Sequence, residues 1–194
     1  MLILSEINKD WTLFLDRDGV INVERHLDYV KKYEEFEFMP GLPEALKELA
    51  AIFSKIVIVT NQRGIGRGLM TDQDLTDIHH RMMTEISAAG GRIDKIYYCS
   101  SLENSHPDRK PNPGMAFNAK ADIPGIDLDK SIVVGNNISD MEFGRNAGMF
   151  TVHVRTTHPD IDNPHPLIDL SCTDLPEFTQ LLLNVQRQEN FQHQ

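Results

Sequence analysis

The chain has little of what marks a secreted, membrane or nucleic-acid-binding protein. Its 194 residues hold only two cysteines, Cys99 and Cys172. So few supply no disulfide framework and point to a reducing compartment, which makes the cytoplasm the expected location. Basic residues are outnumbered, 19 against 29 acidic ones, giving a formal net charge of −10. No Lys/Arg run breaks that balance, so a polyanion would be repelled and nucleic acid is not an expected partner. No apolar run approaches the ~20 residues that cross a bilayer. The stretch Met1–Glu6 turns acidic too early for a signal peptide, so no membrane partner is expected either. Repeats and low-complexity segments are also missing. The remaining composition is ordinary, with 40% hydrophobic and 25% charged residues. Such a length suits a single domain over 1–194, with its core at about 11–185.

Hydrophobic patterning supplies the architecture. Short apolar runs bounded by turn residues predict buried strands at Trp11–Leu15, Lys55–Thr60, Ile93–Cys99, Ser131–Val134 and Phe150–Val154, with an edge strand near Leu167–Ser171. Between them lie helical stripes. One runs from Leu42 to about Phe53, opened by Pro40-Gly41. A second follows Thr71 as N-cap, shows Leu75, Ile78, Met82 and Ile86 on one face, and stops at Gly90-Gly91. Gly114–Ala121 is a short helix, and Ser139 with Glu142 has the spacing of a capping box. A last helix starts near Asp174, capped by Thr173, and gives way to a polar tail over 186–194. Strands alternating with helices predict an α/β fold, a Rossmann-like parallel sheet covered by helices on both faces. His79 and His80 adjoin on a helix, cannot converge on one ligand, and are expected at or near the surface.

The chemistry starts where the first strand ends. Leu13-Phe14-Leu15 runs into Asp16-Arg17-Asp18-Gly19, two carboxylates one residue apart with a glycine to turn the chain. Neighbouring carboxylates stay ionised together only with a cation beside them, and oxygen-only ligands favour Mg²⁺. In parallel sheets ligands gather beyond the carboxyl ends of the strands. Four polar sets fall at that edge: Asp16/Asp18, Thr60/Asn61, Arg109/Lys110 and Asn136/Asp140. Their parts are complementary. Asp16 can attack phosphorus and carry the phosphoryl group, while Asp18 protonates the leaving oxygen and later activates water. Thr60 and Lys110 can hold the phosphoryl oxygens, where charge develops. The expected partner is a small phosphorylated molecule, and a monomer is the simplest assembly.

The ordered set Asp16-x-Asp18, Thr60-Asn61, Lys110 and Gly135-x4-Asp140 resembles the haloacid dehalogenase superfamily of phosphohydrolases. One branch is closer still. Phe14–Asn22, Val59–Gln62, Arg67-Gly68, Tyr97–Cys99, Arg109–Met115 and Asp140-Met141 look like the D-glycero-D-manno-heptose 1,7-bisphosphate phosphatases, and histidinol-phosphate phosphatases share much of the pattern. The resemblance implies a capless fold, Asp16 as nucleophile and metal ligand, and Asp18 as acid/base that lends its backbone carbonyl to the metal. It also implies Thr60 and Lys110 as the phosphoryl-holding pair, Arg109 in substrate recognition, and Asn61, Gln62 and Arg63 in the substrate loop.

The sequence departs from that family twice. Asn136 stands where the family places an aspartate as third protein ligand, so a charge is lost, and Asp140 is expected to compensate directly or through water. Relatives also carry a Cys-x-His and Cys-x-Cys zinc loop. Here the loop offers only Cys99, His106 and Asp108 beside Ser101, and zinc is expected to be absent. The readings left open are the heptose bisphosphatase, a histidinol-phosphate phosphatase, and a phospho-ligand sensor with catalysis impaired at Asn136. A receiver domain is disfavoured, because Asp18 as an acid/base has no purpose in a long-lived phosphoryl switch.

Overall fold

A computed structural model describes residues 2–162 and 164–192. Its centre is a sheet of six parallel strands: β1 (Thr12–Leu15), β2 (Lys55–Asn61), β3 (Lys95–Cys99), β4 (Ser131–Gly135), β5 (Phe150–Val154) and β6 (Leu170–Cys172). They lie in the order β3-β2-β1-β4-β5-β6, with Leu15 registered against Ile58 on one side and Val134 on the other. Strand order reverses between β1 and β4. The loops leaving those two strands therefore diverge to opposite faces and open a crevice above Asp16.

The strand residues explain the layering. In β1 all four residues are buried. Leu13 and Leu15 join Ile56, Ile58, Ile132 and Val134 on one face, whereas Phe14, Val57, Val59 and Val133 point to the other. The first face is covered by α1 (Leu42–Ile52), α3 (Asp72–Ala88) and α6 (Leu175–Gln192), through Leu46, Leu49, Met82, Phe178 and Leu182. The second is covered by α4 (Gly114–Asp122) and α5 (Ile138–Ala147), through Met115, Ala119, Phe143 and Ala147. Gly144 lets α5 approach closely, since a Cβ there would lie 2.5 Å from Val133 Cγ1. The segment between β1 and α1 holds only a 3-10 turn at Tyr33–Glu35 and isolated bridges of Asn22 with Asp18 and Phe38, so no cap domain is inserted there. Among the described residues no helix is long and apolar enough to cross a membrane.

The structure corrects the sequence at several helix ends. The capping box of α5 is Asn137 with Asp140, not Ser139 with Glu142. Asn137 Oδ1 accepts from Ser139 N at 3.1 Å and Asp140 Oδ2 accepts from Asn137 N at 3.0 Å, so the helix begins sooner. At α6 it is Asp174 that caps, its Oδ1 accepting from Glu177 N at 2.8 Å, while Thr173 precedes it. That helix runs on to Gln192 where a polar tail was expected, and 193–194 lie outside the described residues. The glycine-rich stretch after β2 contains a one-turn helix, α2 (Arg63–Gly66). His79 is buried at 8% exposure rather than at the surface, for a reason that belongs to the site.

Candidate active site

Asp16 is the first residue beyond β1, and its N–H donates to Val134 O at 3.0 Å, so the neighbouring strand fixes its position. The chain then turns sharply. Arg17 O accepts from Ile21 N at 2.8 Å and Asn22 N at 3.1 Å, and Gly19 takes φ +80°. A side chain at Gly19 would be strained by that angle, and its Cβ would fall 2.1 Å from the Asn136 amide. Asn136 thus packs against the turn that carries Asp18 because position 19 has no side chain.

Lys110 reaches this turn from the loop after β3. Its ammonium lies 2.8 Å from Asp16 Oδ1 and 2.6 Å from Asp140 Oδ1, with only 2% of the side chain exposed. Burial favours the neutral amine, yet Asp140 and Asp16 overcome it and hold the Lys110 proton more firmly than usual. Asp16 shows the opposite balance. Burial pushes its carboxyl up to about 7, Lys110 pulls it down, and Asp140 and Asp18 push it up again. Asp140 has one oxygen on Lys110 and the other on Asn137 N, so here it anchors the lysine and the helix. It was expected in the metal set, directly or through water, and each of its oxygens keeps a second lone pair for that role.

Asp18 sits in a cage of donors. Arg17 Nη2 reaches its two oxygens at 2.9 and 2.9 Å, Asn22 Nδ2 one at 3.0 Å, and Gln62 Nε2 the other at 3.0 Å. Against the upward push of burial, Arg17 first and then the amides hold the Asp18 carboxyl below its ordinary value. Gln62 Nε2 also donates to Thr60 Oγ1 at 2.9 Å, tying the hydroxyl at the end of β2 to the same network.

The substrate loop divides accordingly. Asn61, expected to meet substrate, lines the crevice while its amide clamps Lys110, accepting from Lys110 N and donating to Lys110 O at 3.1 Å each. Gln62 is turned inward onto Asp18 and Thr60. Arg63 and Arg109 share Asn104, whose Oδ1 lies 3.5 Å from Arg63 Nη2 and 3.3 Å from Arg109 Nε. Burial and the charge of Arg63 both lower the proton affinity of Arg109. The crevice itself is lined by Asp16, Asp18, Glu24, Arg25, Asp28, Tyr29, Thr60, Asn61, Lys110, Asn136, Asn137, Ser139 and Asp140. Gln62, Arg63 and Arg109 are not part of that lining.

Several residues in this network were passed over in the sequence. Arg17 was read only as the spacer between two aspartates, although a guanidinium next to an apolar strand needs a carboxylate partner. Asn22, four residues after Asp18, closes the Phe14–Asn22 motif but was given no role, and His79, against Arg17, was expected at or near the surface. Thr157 was missed and the contact of Glu24 with Asn136 was not foreseen: Asn136 Nδ2 donates to Glu24 Oε2 at 2.7 Å and to Thr157 Oγ1 at 2.9 Å.

The donor set bears on a cation. The crevice lining carries Asp16, Asp18, Glu24, Asp28 and Asp140 against Arg25 and the already paired Lys110. A phosphate dianion would be repelled unless a cation came with it. Among the described residues no three His, Cys, Asp or Glu side chains form a ready cage. Magnesium needs none, since it is held by one or two carboxylates together with substrate oxygens and water. In the shortened zinc loop, Cys99 Sγ lies 3.6 Å from His106 Nδ1, which also accepts from Asp108 N at 3.2 Å, while Asp108 Oδ1 accepts from Asn118 Nδ2 at 2.9 Å.

Comparison with known proteins places this arrangement. A family model described as polynucleotide kinase 3 phosphatase matches residues 12–174. A D-glycero-alpha-D-manno-heptose-1,7-bisphosphate 7-phosphatase of Campylobacter jejuni is 41% identical over 144 residues, 74% of this chain and 81% of that protein. A D-glycero-beta-D-manno-heptose-1,7-bisphosphate 7-phosphatase of Helicobacter pylori is 33% identical over 178 residues, 91% and 99% of the two chains. Among solved structures, the D,D-heptose 1,7-bisphosphate phosphatase of B. bronchiseptica, complexed with magnesium and phosphate, matches with a TM-score of 0.80 at 29% identity, over 90% of this chain and 98% of that one.

Proposed function

Because the chain belongs to the haloacid dehalogenase-type phosphatases, within the family described as polynucleotide kinase 3 phosphatase, we propose that it removes the 7-phosphate of D-glycero-D-manno-heptose 1,7-bisphosphate through an aspartyl-phosphate. It is a phosphoric monoester hydrolase. The observation that carries the finer reading is the Lys110 ammonium set 2.8 Å from Asp16, with Asp18 two residues on in the same crevice. Asp16 Oδ attacks phosphorus as the ester P–O bond breaks, and the leaving sugar oxygen takes a proton from Asp18. In the second half Asp18 takes a proton from the water that displaces Asp16 from phosphorus. Arg17 holds Asp18 ionised in the free protein, which suits the second half. Arrival of a phosphate dianion beside it favours the protonated carboxyl needed for the first. Thr60 and Lys110 receive the phosphoryl oxygens. Asp16, the Asp18 backbone carbonyl and Asn136 would hold Mg²⁺, which neutralises charge on nucleophile and phosphate when bound. Arg63 and Arg109 supply positive charge for the second phosphate of the substrate.

The test is a comparison of kcat/KM for both anomers of the heptose bisphosphate with histidinol phosphate. A preference of roughly 100-fold or more for a bisphosphate is expected, and a preference for histidinol phosphate overturns the substrate assignment. Metal binding has its own check in Asn136→Asp. The added carboxylate would stand where the Asn136 amide now donates to Glu24, so without metal it repels Glu24 and lowers the melting temperature. With Mg²⁺ the extra charge tightens binding and recovers that loss. Melting curves in chelator and in Mg²⁺ that shift in parallel for parent and variant would exclude Asn136 as a ligand.

A further inference from the structure

We propose that His79, on the far side of the turn from the crevice, is a positioning residue for the proton-transfer step: it fixes Arg17, and Arg17 fixes the Asp18 carboxylate. The inference rests on the reading of Asp18 as the proton carrier. Arg17 is 1% exposed, and its guanidinium lies between two partners. Nη2 makes the two-oxygen contact with Asp18, and Nη1 lies 3.3 Å from His79 Nε2. A guanidinium only donates, so His79 Nε2 must accept and the ring hydrogen sits on Nδ1. Burial first, then the charge of Arg17, push the imidazole down to about 3, so the acceptor stays neutral at working pH.

His79 is itself held. Its ring meets that of Tyr98 edge-on, with centroids 6.4 Å apart, and Tyr98 Oη donates to Asp72 Oδ1 at 2.8 Å. The ring, carried by α3, thus packs against β3, and both elements lie outside the turn that carries Asp18. Among the described residues Arg17 Nε has no partner in its buried site. Without the imidazole, Nη1 would lose its acceptor too, and among those residues Asp18 would be the only remaining hydrogen-bond partner of the guanidinium. Asn22 and Gln62 each hold one oxygen of Asp18, whereas Arg17 Nη2 touches both and brings the positive charge, so a displaced guanidinium removes the charged hold on that carboxylate.

The consequence depends on the leaving group. A sugar alkoxide must receive the Asp18 proton as its bond to phosphorus breaks, whereas para-nitrophenolate departs with little help. The experiment measures kcat/KM, which ends at departure of the leaving group and so omits the hydrolysis step common to both esters, for parent, His79→Leu and His79→Gln with the heptose bisphosphate and with para-nitrophenyl phosphate, both in saturating Mg²⁺. With His79→Leu, kcat/KM on the sugar ester should fall roughly 10- to 100-fold, while that on para-nitrophenyl phosphate stays within about 3-fold. Retained turnover of the aryl ester also reports an intact fold. His79→Gln, whose Oε1 can accept from Arg17, should regain most of the lost rate. An equal loss on both esters, or no loss on either, overturns the proposal. Should His79→Leu not fold, His79→Met is read by the same ratio. A parent that prefers another alkyl phosphate overturns the substrate reading alone, and the ratio is then taken on that ester.

Discussion

Asp16→Asn is expected to lower phosphatase turnover by about 10⁴-fold or more while leaving the fold intact. An amide is too poor a nucleophile to displace the ester, and the Asp16 position is fixed by backbone contact with Val134 rather than by its carboxyl. Stability should not suffer, and the sign can be worked out. The Asp16 carboxyl is pushed up to about 7 in the folded chain, chiefly by burial, from an ordinary 3.8. A carboxyl raised in this way supports the fold below its ordinary value and opposes it as pH rises through about 7, because ionisation is costlier in the folded state. Asparagine has no ionised form, so at pH 8 without divalent cation the variant should melt no lower than the parent. Initial rates with the sugar bisphosphate and melting curves from one preparation check both halves. Turnover above about 1% of the parent would move the nucleophile to another residue.

Much of this architecture was legible because buried parallel strands leave a strong sequence signal. The runs around Leu13, Val57 and Val133 are apolar on successive residues, as burial on both sheet faces requires, and each ends in a polar residue that the crevice uses. Helix ends were harder. Ser139 with Glu142 and Asn137 with Asp140 fit the same capping pattern, and the choice fell to tertiary structure, since Lys110 and the β4 exit bring Asp140 into the site. The supporting network was the least visible part. Asn61 and Gln62 lie in a polar loop, where amides look available to substrate. Gln62 turns inward and Asn61 is pinned at the crevice wall, because a half-buried aspartate and the backbone of a buried lysine need those donors and acceptors. His79 is the extreme case: 62 residues separate it from Arg17, and no local spacing joins a histidine on a helix to an arginine on a distant strand end.

Lys110→Met should cost about 3–5 kcal/mol of stability, as well as roughly 100- to 1000-fold in turnover. The lysine is the only cation within ion-pair distance of either Asp16 or Asp140 among the described residues. Removing it leaves two carboxylates facing each other in a site where Asp140 is 2% exposed and Asp16 13%. The Lys110 proton is held more tightly than usual in the folded chain, so its contribution is complete at neutral pH and disappears only when pH rises through that raised value. The deficit of the variant should therefore be large at pH 8 and shrink towards pH 5, where the orphaned pair can take up a proton. Denaturant unfolding at the two pH values tests this, and a pH-independent deficit would mean that the lysine acts through packing alone. Adding Asp140→Asn separates fold from chemistry. An amide at 140 can still accept from Asn137 N and cap α5, so the double variant should recover most of the lost stability. It should recover little turnover, because the ammonium that meets the phosphoryl oxygens is still gone. Recovery of both would make Lys110 a counter-ion for Asp140 and no part of the chemistry.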